Sequence, residues 1–234
     1  MRVITSILST IGVLATANVL AHRAVPRSAA AVAVGTVGAL AEIARAAGLT
    51  AGELGLGRDR LAAGARCGAG AAATVAAGYA AVLAVPATRA AIRGSGAPWP
   101  QAAGRAIVVI PLTTVLPEEF AFRGVLTSLL ARQLGVGPGR IAAAGLFGLW
   151  HVLPGLAGAG AANDAVNEVV GSGPRGTMLR VGGTVLLTTA VGWLLGELRD
   201  RSASLLAPVA LHWAINGLGE VAAARPSASP AGRT

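Results

Sequence analysis

Residues 102–133 read AAGRAIVVIPLTTVLPEEFAFRGVLTSLLARQ. Apolar residues dominate on either side of Glu118, Glu119 and Arg123, without the strict alternation of a half-buried strand. At 1.5 Å per helical residue the stretch is longer than a hydrocarbon layer of ~30 Å. It therefore predicts a helix in lipid with ionisable groups midway along it. Charges at that depth face a bundle interior or a water-filled cavity, because lipid solvates them poorly. Pro111 and Pro117 predict a kinked helix, or two helices meeting near Pro117. In the second case both carboxylates sit in a first turn, near a positive helix end.

Working outward, the same composition continues. The chain of 234 residues is 54% apolar and 12% charged, about half the charge of a soluble domain. Further apolar segments lie at 3–21, 28–48, 67–87, 140–153, 178–198 and 202–222. The fold class expected is all-α, a polytopic transmembrane bundle of seven spans, or eight if the helix divides at Pro117. The first segment exceeds a signal peptide's ordinary apolar core, so a retained helix is preferred to a cleaved one. Gly192 and Gly196 form a G-x-x-x-G packing face on the sixth span. Trp99 suits an interfacial anchor. Residues 135–139 read as a turn, Pro154 as a stop, and 155–176 as a loop with Asn163, Asp164, Asn167 and Glu168. Residues 1–100 carry no motif, 101–223 carry all of them, and 224–234 read as a disordered tail.

The net charge is +9 and every basic residue is Arg. Single arginines between apolar segments make no basic stripe, which excludes nucleic acid as the expected partner. They divide evenly between the two sides of the bundle, so charge does not orient it. The Ala-, Gly- and Arg-rich, Lys-free composition suggests a bacterial plasma membrane. Cys67 is alone, which rules out an internal disulfide.

The polar residues inside the apolar segments are few. Glu119 and Arg123 stand at i,i+4 and can pair on one face. Glu118 is rotated ~100° from Glu119 and is left to bind water, a proton or a metal. Phe147 and His151 share a face at i,i+4, as do His212 and Asn216. Each pair has a plain structural reading: an Arg–Glu clamp, an interfacial His, a hydrogen-bonding staple between helices. Together, two imidazoles, two carboxylates and an amide suit amide hydrolysis. A carboxylate or His takes a proton from water, and a His or Asn donor stabilises the oxyanion. Two His and a Glu can instead hold zinc with an open position for water.

The run Glu118-Glu119-x-x-x-Arg123, then Phe147-x-x-x-His151, then His212-x-x-x-Asn216 resembles the CPBP family. These are the CAAX protease and bacteriocin-processing proteins, also called Abi, and they include the eukaryotic Ras-converting CAAX endopeptidase. The three elements match in order, over roughly residues 107–219. Leu54-Gly55-Leu56 is similar to a short step found upstream in such proteins. The resemblance implies an intramembrane endopeptidase acting on a membrane-associated peptide or protein. It makes Glu118 and His151 the water-activating pair and Glu119 the partner of Arg123, with a share in catalysis. It gives His212 and Asn216 the substrate carbonyl, and Phe147 the cavity wall. It admits both a metalloprotease with zinc on Glu118, His151 and His212, which is slightly preferred, and a metal-free glutamate-dependent hydrolase.

Two other classes use the same residues. One is a non-proteolytic scaffold or bacteriocin-immunity protein of the same fold. The other is a proton-coupled transporter, which the lack of an internal repeat disfavours.

Overall fold

The computed structural model describes residues 2–23, 28–93, 96–157, 171 and 173–225. The loop carrying Asn163, Asp164, Asn167 and Glu168, and the tail from residue 226 onward, lie outside them. Among the described residues every regular element is helical, and one isolated bridge joins Pro98 and Arg225.

Helices α1 (Arg2–Arg23) and α2 (Ala29–Ala46) come first. A 3-10 turn at Arg58–Arg60 leads into α3 (Leu61–Ala84), and α4 (Pro86–Ile92) begins at a proline. Then residues 99–134 form one continuous helical segment, the motif helix. It comprises α5 (Trp99–Gly104), π turns at Arg105–Val109 and Pro111–Val115, α6 (Leu116–Glu119), a π stretch at Phe120–Leu126 and α7 (Thr127–Leu134). Next come α8 (Val136–Trp150), α9 (Val152–Ala157), α10 (Pro174–Ser202) and α11 (Leu206–Ala223). Among the described residues, four helices are long and apolar enough to cross a membrane: Val3–Ala21, Ala29–Ala46, Arg58–Ala84 and Pro174–Ser202.

Three expectations need correction. The chain does not divide at Pro117; the backbone is helical at Val115, Leu116 and Phe120. A proline ring collides with the carbonyl four residues back, and the wider π turns beside Pro111 and Pro117 relieve that crowding. Glu118 and Glu119 therefore stand mid-helix, without a helix N-terminus behind them. The expected turn at 135–139 contracts to Gly135, whose φ is +89°, and Pro138 fits the first turn of α8, where no amide donor is needed. Pro154 likewise falls in the first turn of α9 and does not stop the chain.

Small residues set the helix crossings. A Cβ on Gly68 of α3 would stand 2.8 Å from the Cβ of Ala210 on α11. A Cβ on Gly192 of α10 would stand 3.0 Å from the Phe147 ring on α8, and one on Gly196 2.8 Å from the Arg140 side chain. Gly55 is held twice over, by a φ of +73° and by the Leu205 amide, which donates to its carbonyl at 2.8 Å. The core joins Leu14 of α1, Leu40 and Ala44 of α2, Phe122 to Leu130 of the motif helix, and Phe147 of α8. The outer faces are apolar instead. Val34, Leu186 and Leu187 are all more than 60% exposed, the reverse of a soluble surface and the normal face toward lipid.

Candidate active site

The motif helix, α8 and α11 meet around Phe147. Arg123 lies with its guanidinium carbon 4.0 Å from the centre of that ring. His151 and His212 approach the same ring edge-on at 4.7 and 6.1 Å, and Phe122 does so at 5.1 Å. Phe147 is thus the hub that gathers both histidines and the arginine. The absent side chain at Gly192 leaves room for it.

Glu119 is fully buried. Its Oε1 accepts from Arg123 Nη1 at 3.0 Å and from His212 Nδ1 at 2.7 Å. Arg123 also donates to the Gly192 carbonyl at 3.3 Å. A buried carboxylate beside one cation is stable in a dry interior only when paired in this way. An ionised carboxylate can only accept, so His212 carries its proton on Nδ1 and turns Nε2 away from Glu119. That Nε2 donates only when the ring holds a second proton.

His151 stands at the C-cap of α8, where the last carbonyls lack helical partners. One of them, Phe147 O, is 2.8 Å from His151 Nδ1. A carbonyl accepts only, so Nδ1 is protonated and Nε2 presents its lone pair, as a base requires.

Glu118 points elsewhere. Its Oε1 accepts from the Trp150 indole at 3.2 Å, while Oε2 is buried without a hydrogen-bond partner. The residue lines a cavity of about 200 Å³ walled by α1, α2 and the motif helix, with Thr36, Thr113 and Thr114 among its polar groups. Asn216 follows His212 by one turn of α11 and is half-buried, with its amide unbonded among the described residues. The arrangement therefore joins Glu119, Arg123, His212, Phe147 and His151 in direct contact, and ties Glu118 in through Trp150. Trp150 was not singled out beforehand. The one available signal was its place beside His151.

Among the described residues, no three His, Cys, Asp or Glu side chains gather closely enough to hold a metal ion. Glu118, His151 and His212 do not form a ready ligand set.

A family model described as type II CAAX prenyl endopeptidase, Rce1-like, matches residues 100–218, just over half of the chain. The chain belongs to this family. No curated protein and no solved structure matches it. The Rce1-like match contains every motif residue from Glu118 to Asn216. It leaves out α1 and α2, although both wall the cavity at Glu118. Family membership makes the chain a CAAX-protease-like protein, and its long apolar helices make it an integral membrane one.

Proposed function

We propose that this chain is an intramembrane endopeptidase. It hydrolyses a peptide bond in a membrane-associated peptide or protein, with prenylated C-terminal segments as the substrate class the family description suggests. The observation that carries the reading is the division of labour between two adjacent carboxylates. Glu119 is consumed by Arg123 and His212, whereas Glu118 keeps one buried oxygen free at a cavity.

Glu118, with His151 Nε2, takes a proton from water as its oxygen attacks the carbonyl carbon. The tetrahedral oxyanion is stabilised by N–H donors from Asn216 and, when its ring is doubly protonated, from His212, which Glu119 orients through Nδ1. The C–N bond then breaks, the proton passes to the leaving nitrogen, and a carboxylate and an amine depart. The unbroken helix at Pro117 supports seven spans over eight, and the Lys-free, Ala- and Gly-rich composition supports a bacterial plasma membrane.

The test uses protein in proteoliposomes and farnesylated C-a-a-X peptides, with cleavage followed by mass spectrometry. Glu118→Ala and His151→Ala are expected to lose at least about a hundredfold in rate, within the usual range for a lost proton-transfer group, while melting as the wild type does. Both variants cutting at the wild-type rate would overturn the reading. Metal content is measured on the same samples. Near-stoichiometric zinc in the wild type, absent from the folded variants, would replace the metal-free step with a zinc-held water.

A further inference from the structure

We propose that Trp150 and Asn18 are positioning residues for the hydrolytic carboxylate, so that α1, outside the family match, is part of the catalytic apparatus. This rests on the endopeptidase reading above and concerns how Glu118 is aimed.

Trp150 ends α8. Its carbonyl belongs to the last turn and has no helical amide to accept from. Asn18 of α1 reaches across and donates to that carbonyl from Nδ2 at 2.8 Å. The same peptide unit carries the His151 amide, which donates to Gly148 O at 3.0 Å. The Trp150–His151 peptide plane is therefore gripped on both edges, once from within α8 and once from α1. Asn18 is itself buried, at 8% exposure.

The indole of that held residue points at Glu118. It packs edge-on to Phe122 at 5.8 Å and donates Nε1–H to Glu118 Oε1 at 3.2 Å. A carboxylate side chain has three rotatable bonds, and of the cavity's threonines Thr36 and Thr113 donate back to their own helices, at Val32 O and Val109 O, so the indole is the donor that orients it. One donor on Oε1 leaves Oε2 as the oxygen without a partner among the described residues, on a side chain that lines the cavity. The consequence is chemical. With one lone pair of Oε1 taken by the indole, Oε2 keeps both of its own for the proton of water, and the carboxylate plane has a fixed direction. Because Trp150 and His151 share a peptide plane, Asn18 sets the base and the carboxylate relative to each other.

The experiment replaces Trp150 with 3-benzothienylalanine, which keeps the ring shape and removes the N–H, and separately makes Asn18→Leu. Each variant is assayed on the farnesylated peptides above. The expected result is a fall in kcat of about tenfold, the scale of one hydrogen bond to a charged group. KM should stay within about twofold, since the binding surface is unchanged. The double variant should lose scarcely more than either single one, because both act along one chain of contacts. A purely structural role would instead lower the melting temperature and add. The indole N–H resonance of Trp150, one of four in the chain, gives a readout independent of activity. It is identified by its absence from the benzothienylalanine protein and should move in Glu118→Leu. A wild-type kcat in the benzothienylalanine protein, with Glu118→Ala inactive, overturns this inference and leaves the peptidase reading standing. So does an unmoved Trp150 resonance. Cleavage surviving in Glu118→Ala is the different result that removes the peptidase reading itself.

Discussion

At the scale of the residue, Glu119 and Glu118 are neighbours with opposite fates. Glu119 was legible in part. Its spacing to Arg123 is enough to expect a pair, and the pair is there at 3.0 Å. Its second partner, His212, lies 93 positions away, and no spacing rule reaches that far. Asn18 and Trp150 were illegible for the same reason, since an asparagine in an apolar helix carries no mark of its partner. Burial makes the Glu119 pair fragile when halved. Arg123→Met is expected to destabilise the protein by about 3–5 kcal/mol, because it strands a buried carboxylate. The double variant Glu119→Gln/Arg123→Met should recover part of that loss. Reversible unfolding in mixed detergent micelles measures both. A double variant as unstable as Arg123→Met alone would mean that the stranded charge is not the cause.

At the scale of the element, the π-helical stretches are the main departure from expectation. A proline read against α-helical rules predicts a break or a kink. The rules do not anticipate that the whole turn widens, because that depends on neighbours the local sequence does not name. Thr127 reflects the wider turn, donating its hydroxyl to Phe122 O, five residues back, at 2.6 Å. π turns recur at functional sites, and here they flank both glutamates. The small-residue contacts were easier to read, because G-x-x-x-G has a direct packing meaning. The tightest contact is nevertheless at Gly148, outside that motif. A Cβ there would collide with the Thr189 hydroxyl and stand 2.7 Å from the Val185 carbonyl of α10. Gly148→Ala should therefore destabilise by about 1–3 kcal/mol, as overpacking does. It should also lower kcat, since Gly148 sits between Phe147 and the Trp150–His151 peptide. Wild-type melting and turnover in this variant would show that α8 and α10 can separate freely.

At the scale of the whole molecule, the buried polar groups are set within an apolar core, the outer faces are apolar as well, and one exposed corner ties the bundle together. The connection between α2 and α3 folds on itself: the Thr50 amide and hydroxyl donate to Glu53 Oε2 at 2.8 and 2.9 Å. Arg132, at the end of the motif helix, donates to Glu53 Oε1 at 2.7 Å and to the carbonyls of Ala47 and Gly48 at 2.8 and 2.7 Å. Ser128 and Arg199 both donate to the Glu53 carbonyl. This corner thus joins α2 and the motif helix, which help to wall the Glu118 cavity, to α10, whose Gly192 packs against Phe147. The Arg132 hydrogen bond, then the Thr50 amide, lowers the Glu53 carboxyl from 4.5 to about 2. A carboxyl lowered by folding contributes its stability fully above the unfolded value and loses it as pH falls toward the folded one. The window here is therefore from 4.5 down to about 2. Melting in detergent as pH is lowered through that window should show the wild type losing stability and Glu53→Gln losing less, because the variant has no carboxyl to protonate. Cleavage by Glu53→Gln at neutral pH should persist, since the corner lies at the end of the helices rather than at the hydrolytic groups. Parallel acid profiles for the two proteins would mean that the corner is too well solvated for its charge to matter, and that acid sensitivity arises within the bundle.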